Sequence, residues 1–229
     1  MSSGATGIST NSQMSVPFSE LKSTIKTAEG KSYTITPIHL CSDRAVQFLT
    51  SYANPFYRDG KPFTPEAAAA RVKAWSDRFF KNEPWSAYLI EDPTAKSIIG
   101  LWTLGYDDEP GKLHMALCLT KQKEGIATAI SKWALTQLLP QLQEKQIPIP
   151  VYKDDQCVGT IPIIESHIRA MTSPEHPAVP HILKKAGFDY VCDMDTSFGK
   201  RKLYEAPIAK LLKPQDSCSN ESQDNLHPN

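Results

Sequence analysis

Gln122-Lys123-Glu124-Gly125-Ile126-Ala127 stands between an apolar run, Leu113 to Leu119, and a segment with apolar residues at Ile126, Ile130, Trp133, Ala134 and Leu138. The second spacing is that of one face of a helix. The hexapeptide therefore reads as a turn leading from a strand into an amphipathic helix. At a helix start several backbone N–H groups have no intrahelical partner, and the helix dipole adds partial positive charge. Such a start is a seat for a phosphate or pyrophosphate. Gly125 has no Cβ, so an anion can approach the backbone closely, and Ala127 is small enough not to block it. An ordinary loop into a core helix has the same spacing, so the surrounding blocks have to decide between the two.

The chain has 229 residues and zero formal net charge. That size suits one domain of about 180 residues with loose ends. Lys and Arg are scattered, which gives no basic face for nucleic acid. The five cysteines, Cys41, Cys118, Cys157, Cys192 and Cys218, are odd in number and include no Cys-x-x-Cys pair. Neither a metal site nor a disulfide framework is expected, and reduced thiols in a cytoplasmic setting fit best. No apolar run approaches the ~20 residues of a membrane span. The first residues lack the basic and apolar regions of a signal peptide.

Residues 1–20 are rich in Ser, Gly and Thr and read as a disordered tail, as does 213–229. Between them, 21–212 reads as one domain of alternating elements. Ile25 to Ile38 alternates around Glu29-Gly30 as a β-hairpin. Asp43 to Tyr52 is a short helix. Thr64-Pro65-Glu66 opens another, with threonine at the N-cap, proline at the first helical position and an acid in the first turn. Val72, Trp75 and Phe79 form its expected buried stripe. Trp85 to Glu91, Ser97 to Leu104 and Leu113 to Leu119 read as strands, and the helix after Gly125 ends near Pro140 or at Lys145. Residues 146–164 form an extended insertion, with 158–164 an edge strand or a lid. His167 to Thr172 is a strand. Pro177 to Ala186 is a helix closed by Gly187 as a left-handed residue. Phe188 to Met194 and Lys200 to Ala206 are the closing strands.

This order, with a phosphate seat at the central helix, resembles the GNAT acetyltransferase superfamily, and within it the RimJ/RimL-like N-acetyltransferases. The family's acyl-CoA motif is Gln/Arg-x-x-Gly-x-Gly/Ala, matched by Gln122, Gly125 and Ala127, and Gly-Ile-Ala-Thr-Ala (125–129) is close to a run of the RimJ-like branch. Phe63-Thr64-Pro65-Glu66-Ala67, Trp85 to Ile90 and Ile98-Ile99-Gly100 are similar to the family's front half. Leu183-Lys184-Lys185-Ala186-Gly187-Phe188 resembles the block that closes its second motif helix. The resemblance covers about residues 22–206. It departs from the family at His176 and Val179, which stand where Asn-x-x-Ser is common, and at Leu183, which stands where a general-acid tyrosine is common.

The resemblance implies an α+β fold: a mixed, mostly antiparallel twisted sheet with a splayed parallel pair, flanked by about four helices. It implies an N-acetyltransferase with acetyl-CoA as co-substrate and no metal. The acceptor is a small-molecule amine or a protein N-terminus, and the enzyme a monomer or homodimer. The alternative is a degenerate GNAT domain that binds CoA without turnover. The pantetheine arm would lie beside Leu117, Cys118 and Leu119, and the pyrophosphate on Gln122, Lys123, Glu124, Gly125, Ile126, Ala127 and Thr128. Positioning supplies much of such a rate, and a base adds about 10²–10⁴-fold. His114 is the first candidate base, because its ordinary pKa of about 6.5 suits the task; a half-buried structural histidine is the competing reading. His176 either contacts the cofactor or caps the helix at Pro177. Asp107, Asp108 and Glu109 are either an attractor for a cationic amine or a solvated loop. Cys118 shares a face with His114 at about 13 Å along the strand, too far for activation, and is read as packing. Phe56, Tyr57, Phe63 and Trp102 are candidates for the acceptor pocket, against core packing. Trp75, Trp85 and Trp133 are assigned to the core.

Overall fold

The computed structural model describes residues 21–53, 61–106, 109–120, 125–153, 156–196 and 199–213. Strands β1 (Ser23–Lys26) and β2 (Ser32–Pro37) form the expected hairpin around Glu29-Gly30. Helix α1 (Ser42–Ser51) buries Ala45, Phe48 and Leu49. Helix α2 (Pro65–Phe80) begins as its sequence dictates: Thr64 accepts a hydrogen bond from the Ala67 N–H at 3.3 Å, and Pro65 needs no partner at the first position. Its buried stripe is Ala68, Val72, Ser76 and Phe79. Trp75, expected in that stripe, is only partly buried, one step round the helix from the observed one.

Strands β3 (Ala87–Asp92), β4 (Ser97–Tyr106) and β5 (Lys112–Leu119) follow as an antiparallel meander. The helix after Gly125 is a rod in three parts: α3 (Ile126–Trp133), a wider π-helical stretch Ala134–Leu138, and α4 (Leu139–Glu144). The wide turns lie just ahead of Pro140. Proline has no N–H for the carbonyl four residues back, and its ring strikes that carbonyl in a regular helix. Local widening relieves both problems, so the rod passes Pro140 and stops at Lys145, the later of the two expected ends. Gln146 then turns left-handed (φ 50°), and the Ile147 N–H closes on the Leu142 carbonyl at 3.0 Å.

Residues 149–161 form a hairpin of β6 (Ile149–Lys153) and β7 (Gln156–Ile161), a two-stranded sheet of its own. The chain continues through β8 (His167–Thr172), α5 (Ala178–Lys185), β9 (Asp189–Thr196), β10 (Gly199–Pro207) and α6 (Ile208–Leu211). Helix α6 is an addition to the expected elements. With the rod counted once, five helices flank a mixed sheet of eight strands in the order β1-β2-β3-β4-β5-β8-β10-β9. Within it β5–β8 is the parallel pair.

Side chains alternate across a strand, and this sorts the sheet into two working faces. Leu101, Thr103 and Gly105 of β4 turn toward α1 and α2. Trp102 and Leu104 turn the other way, toward the α3–α4 rod and Phe188 just after α5. There Trp102 packs with Tyr88 and Trp133 at ring-centroid distances of 5.3 and 5.5 Å, and Tyr88 meets Trp133 at 5.7 Å. The Tyr88 hydroxyl is satisfied by the Pro84 carbonyl at 2.9 Å. Trp102 is 1% exposed. Trp102→Ala should therefore destabilise the fold by about 3–5 kcal/mol, measured by denaturant unfolding; a cost below about 1 kcal/mol would contradict this core assignment.

Candidate active site

The parallel pair is short. β5 and β8 are in register at Lys112–His167, Leu113–Ile168, His114–Arg169 and Met115–Ala170, and there the pairing ends. β5 continues to Leu119 against β4 alone. The Thr120 N–H bonds the Ile99 carbonyl on the β4 side at 2.8 Å. By alternation, Leu117 and Leu119 turn their backbone groups to the side that β8 has left. The Leu119 carbonyl accepts the Tyr52 hydroxyl at 2.7 Å. The sheet thus opens into a gap between the far ends of β5 and β8.

Two features sit near the ends of β5 and β8 in the chain. Gly125 is the N-cap of α3 in a left-handed conformation (φ 67°), which a side chain would strain. It offers no side chain to the first N–H groups of the helix, those of Ile126, Ala127 and Thr128. Thr172, the last residue of β8, is 4% exposed, and its hydroxyl is buried with no hydrogen-bond partner. It shares a strand face with Ile168, which lies against the α3–α4 rod.

On the opposite face a cleft of about 290 Å³ lies between β4, β5, α1 and α2. Its floor carries Gly105 opposite His114, then Ala116 and Cys118 along β5. Its walls include Phe48 and Tyr52 from α1 and its C-cap, Phe63, and Arg71, Trp75 and Arg78 from α2. The Arg71 guanidinium lies 5.7 Å from the Trp75 ring centroid. Arg78 sits over Tyr106 at 4.7 Å and donates through Nη1 to the Trp85 carbonyl at 3.0 Å. Burial, then the nearby Cys118, push the Tyr52 phenol up, so it is a neutral hydroxyl in the cleft at neutral pH. Tyr106 is raised by burial and by Glu83, which accepts its hydroxyl at 2.8 Å.

Below the gap an ion network clips the parallel pair. Arg169 donates to Glu205 and to Glu109, each at 2.7 Å, and Lys112 meets the same two carboxylates at 3.2 and 2.9 Å. Glu109 is thus engaged by two cations rather than left to draw in a cationic acceptor.

Of the candidates read from sequence, His114, Phe63 and Cys118 line the cleft. Cys118 faces the cleft rather than serving packing alone. Trp102 does not line it: its place on β4 turns it to the opposite face, into the Tyr88–Trp133 cluster. Trp75, expected in the core, is a cleft wall, while Trp85 and Trp133 are buried at 0% and 3% exposure. The Ile126 side chain is 2% exposed and belongs to the core, so its N–H is what it offers. Ala127 is half-buried and Thr128 exposed in the same turn. His176 sits in the turn ahead of α5, its N–H on the Ser173 carbonyl and its carbonyl accepting from Val179, both at 3.1 Å. Phe56, Tyr57, Asp107, Asp108, Gln122, Lys123 and Glu124 lie outside the described residues. Sequence reading missed Tyr52, Arg71, Arg78 and Tyr106. A signal was present for the arginines: Arg71, Trp75 and Arg78 recur at i, i+4 and i+7, a second helix stripe beside the buried one.

Several solved structures share this fold. A Bordetella pertussis protein described as a GNAT-family acetyltransferase superposes with TM-score 0.55 at 15% identity, covering 80% of this chain and 98% of its own. An Acinetobacter baylyi protein described as an acetyltransferase gives 0.51 at 14% identity over 81% and 97%. A ribosomal-protein-S5-alanine acetyltransferase from Vibrio fischeri gives 0.45 at 14% identity over 76% and 92%, too distant to assign a branch. No family model matches the chain, and no curated protein matches it in sequence. The likeness is therefore one of fold: the chain has the GNAT architecture.

The Glu109 carboxyl is held down to about 2, against an ordinary 4.5, by hydrogen bonds first from Arg169 and then from Lys112. A lowered carboxyl contributes stability above its unfolded value and loses it as pH falls toward its folded value. Thermal melts of wild type and Glu109→Gln should differ by a constant amount from about pH 7 to 5 and converge between 4.5 and about 2. A gap that widens on acidification would contradict the network.

Proposed function

We propose that the chain is an N-acetyltransferase that takes acetyl-CoA and a primary amine. The observation that carries this reading is the gap in the sheet. The helix start at Gly125 is the next described element after β5 in the chain, and the opposite face of the sheet carries a cleft with His114 on its floor. The GNAT architecture supports the same assignment. Acetyl-CoA supplies a thioester carbonyl as the electrophile. The N–H groups of Ile126, Ala127 and Thr128 hold the pyrophosphate. The backbone of Leu117 and Leu119 and the orphan Thr172 hydroxyl border the pantetheine arm.

The acceptor enters from the cleft. Its nitrogen forms the new C–N bond while the C–S bond breaks. The ammonium gives one proton to His114 before attack; the nitrogen sheds a second as the amide forms, and the departing thiolate takes up one in exchange. At the family's tyrosine position stands Leu183, 4% exposed and unable to donate. That residue favours a second reading, a CoA-binding domain without turnover. Against it stands Tyr52, a neutral phenol at the gap, which offers a proton from the other wall. The acceptor is a small-molecule amine or a protein N-terminus.

Calorimetry with acetyl-CoA on wild type, Gly125→Glu and Thr128→Glu tests the cofactor seat. Thr128 is exposed, and an acid in the first turn suits the helix dipole. Thr128→Glu should keep its melting temperature and still bind acetyl-CoA at least tenfold more weakly, and Gly125→Glu should abolish binding. A well-folded wild type that does not bind acetyl-CoA would overturn the proposal. His114→Gln should lower kcat by about 10²–10⁴-fold with acetyl-CoA affinity unchanged; an unaltered kcat would remove it as the base.

A further inference from the structure

Among the described residues the fixed charges around the cleft are all of one sign. Lys61, Arg71 and Arg78 line it together with His114, and no described carboxylate does. Two arginines flank the β5 floor, and they differ. Arg169, beside His114 on β8, is matched by Glu205 and Glu109. Arg78, on the other side across Gly105, has no carboxylate within the 4.0 Å of an ion pair among the described residues. The nearby Glu83 is committed elsewhere, its two oxygens accepting the Tyr106 and Tyr152 hydroxyls at 2.8 and 2.7 Å.

Arg78 is nevertheless held in place. The Trp85 carbonyl takes one of its N–H groups, and the Tyr106 ring supports its plane. Glycine at 105 leaves the space: a Cβ there would stand 3.2 Å from Nη1. A guanidinium has five N–H donors in a fixed fork suited to a carboxylate, and one of the five is accounted for by Trp85. Phe48, Phe63 and Trp75 supply apolar walls. The volume of about 290 Å³ is at the small end for ligand pockets.

We infer that the acceptor is a small amino acid-like molecule, an amine with a carboxylate and an apolar body, and that Arg78 binds the carboxylate. This rests on the acetyltransferase reading for its chemistry, but not for the binding step. Gly105 lies opposite His114 in the ladder, so a carboxylate on Arg78 brings an α-amine to the His114 end of the floor. A polyamine would instead meet cations with no described carboxylate to receive it, and like charges in a confined site repel.

The test uses L-phenylalanine, 2-phenylethylamine and spermidine. Equilibrium binding of each is measured on the full chain with and without CoA, and thiol release from acetyl-CoA is followed in parallel. L-Phenylalanine should be preferred over 2-phenylethylamine at least tenfold, in binding and in kcat/KM, with spermidine poorest. Arg78→Met should erase that preference by raising the KM for L-phenylalanine alone, and Arg78→Lys should restore part of it. Equal or better binding of the decarboxylated amine or of spermidine to wild type would overturn the inference, whether or not a variant folds. Failure of acetyl-CoA binding with the carboxylate preference intact would sink the acetyltransferase reading instead.

Discussion

Everything functional in this fold depends on one pairing that stops early. A parallel ladder continued past Met115 and Ala170 would satisfy the backbone of Leu117 and Leu119 within the sheet and seal its two faces from each other. Because β8 departs, the face that carries the α3–α4 rod and the face that carries the cleft meet at one opening. A departure of this kind needs a fixed pivot. Arg169 and Lys112 provide it, tying β5, β8 and β10 to one another through Glu205, and to the loop ahead of β5 through Glu109, on the closed side of the split. The pivot's own arginine is neutralised, so it does not compete with Arg78 for an anion in the cleft.

The sequence made the skeleton readable and the cleft much less so. Period-2 and period-3.6 patterns located the hairpin and the principal helices, each of which buries one face, while β3 and the middle of β4, buried on both faces, stand out as apolar runs. Thr64-Pro65 and Gly187 located helix ends, because capping needs those side chains or that freedom. The rod was harder. Pro140 locally reads as a stop, and only the π-helical widening before it, a backbone response, lets the helix continue. Trp75 and Trp102 were exchanged for a different reason. Hydrophobicity says that a tryptophan is covered, not by what. Trp102 sits between cleft-facing neighbours on β4, so a single position decides its face. Trp75 shares its side of α2 with two arginines, and that company marks a wall rather than a core. Tyr52 could not be found locally at all: its role comes from Leu119, 67 residues away.

The hairpin of β6 and β7 shows how a segment outside the main sheet still acts on the cleft. The Trp85 indole N–H bonds the Pro148 carbonyl at 3.0 Å, which anchors the hairpin's base beside the carbonyl that holds Arg78. Tyr152 then stacks obliquely on Tyr106, ring centroids 5.4 Å apart, and shares Glu83 with it. Had Glu83 been left without those two hydroxyls, the nearby Arg78 would be its natural partner, and an ion pair there would cancel the cleft's charge. Two phenols do what a cation would otherwise do: they satisfy the carboxylate's oxygens without adding charge. The cost falls on the tyrosines, whose ionisation is suppressed by burial and by the carboxylate they serve. Among the described residues none of the hairpin lines the cleft. The hairpin is a brace behind Tyr106 that keeps a carboxylate occupied and an arginine available.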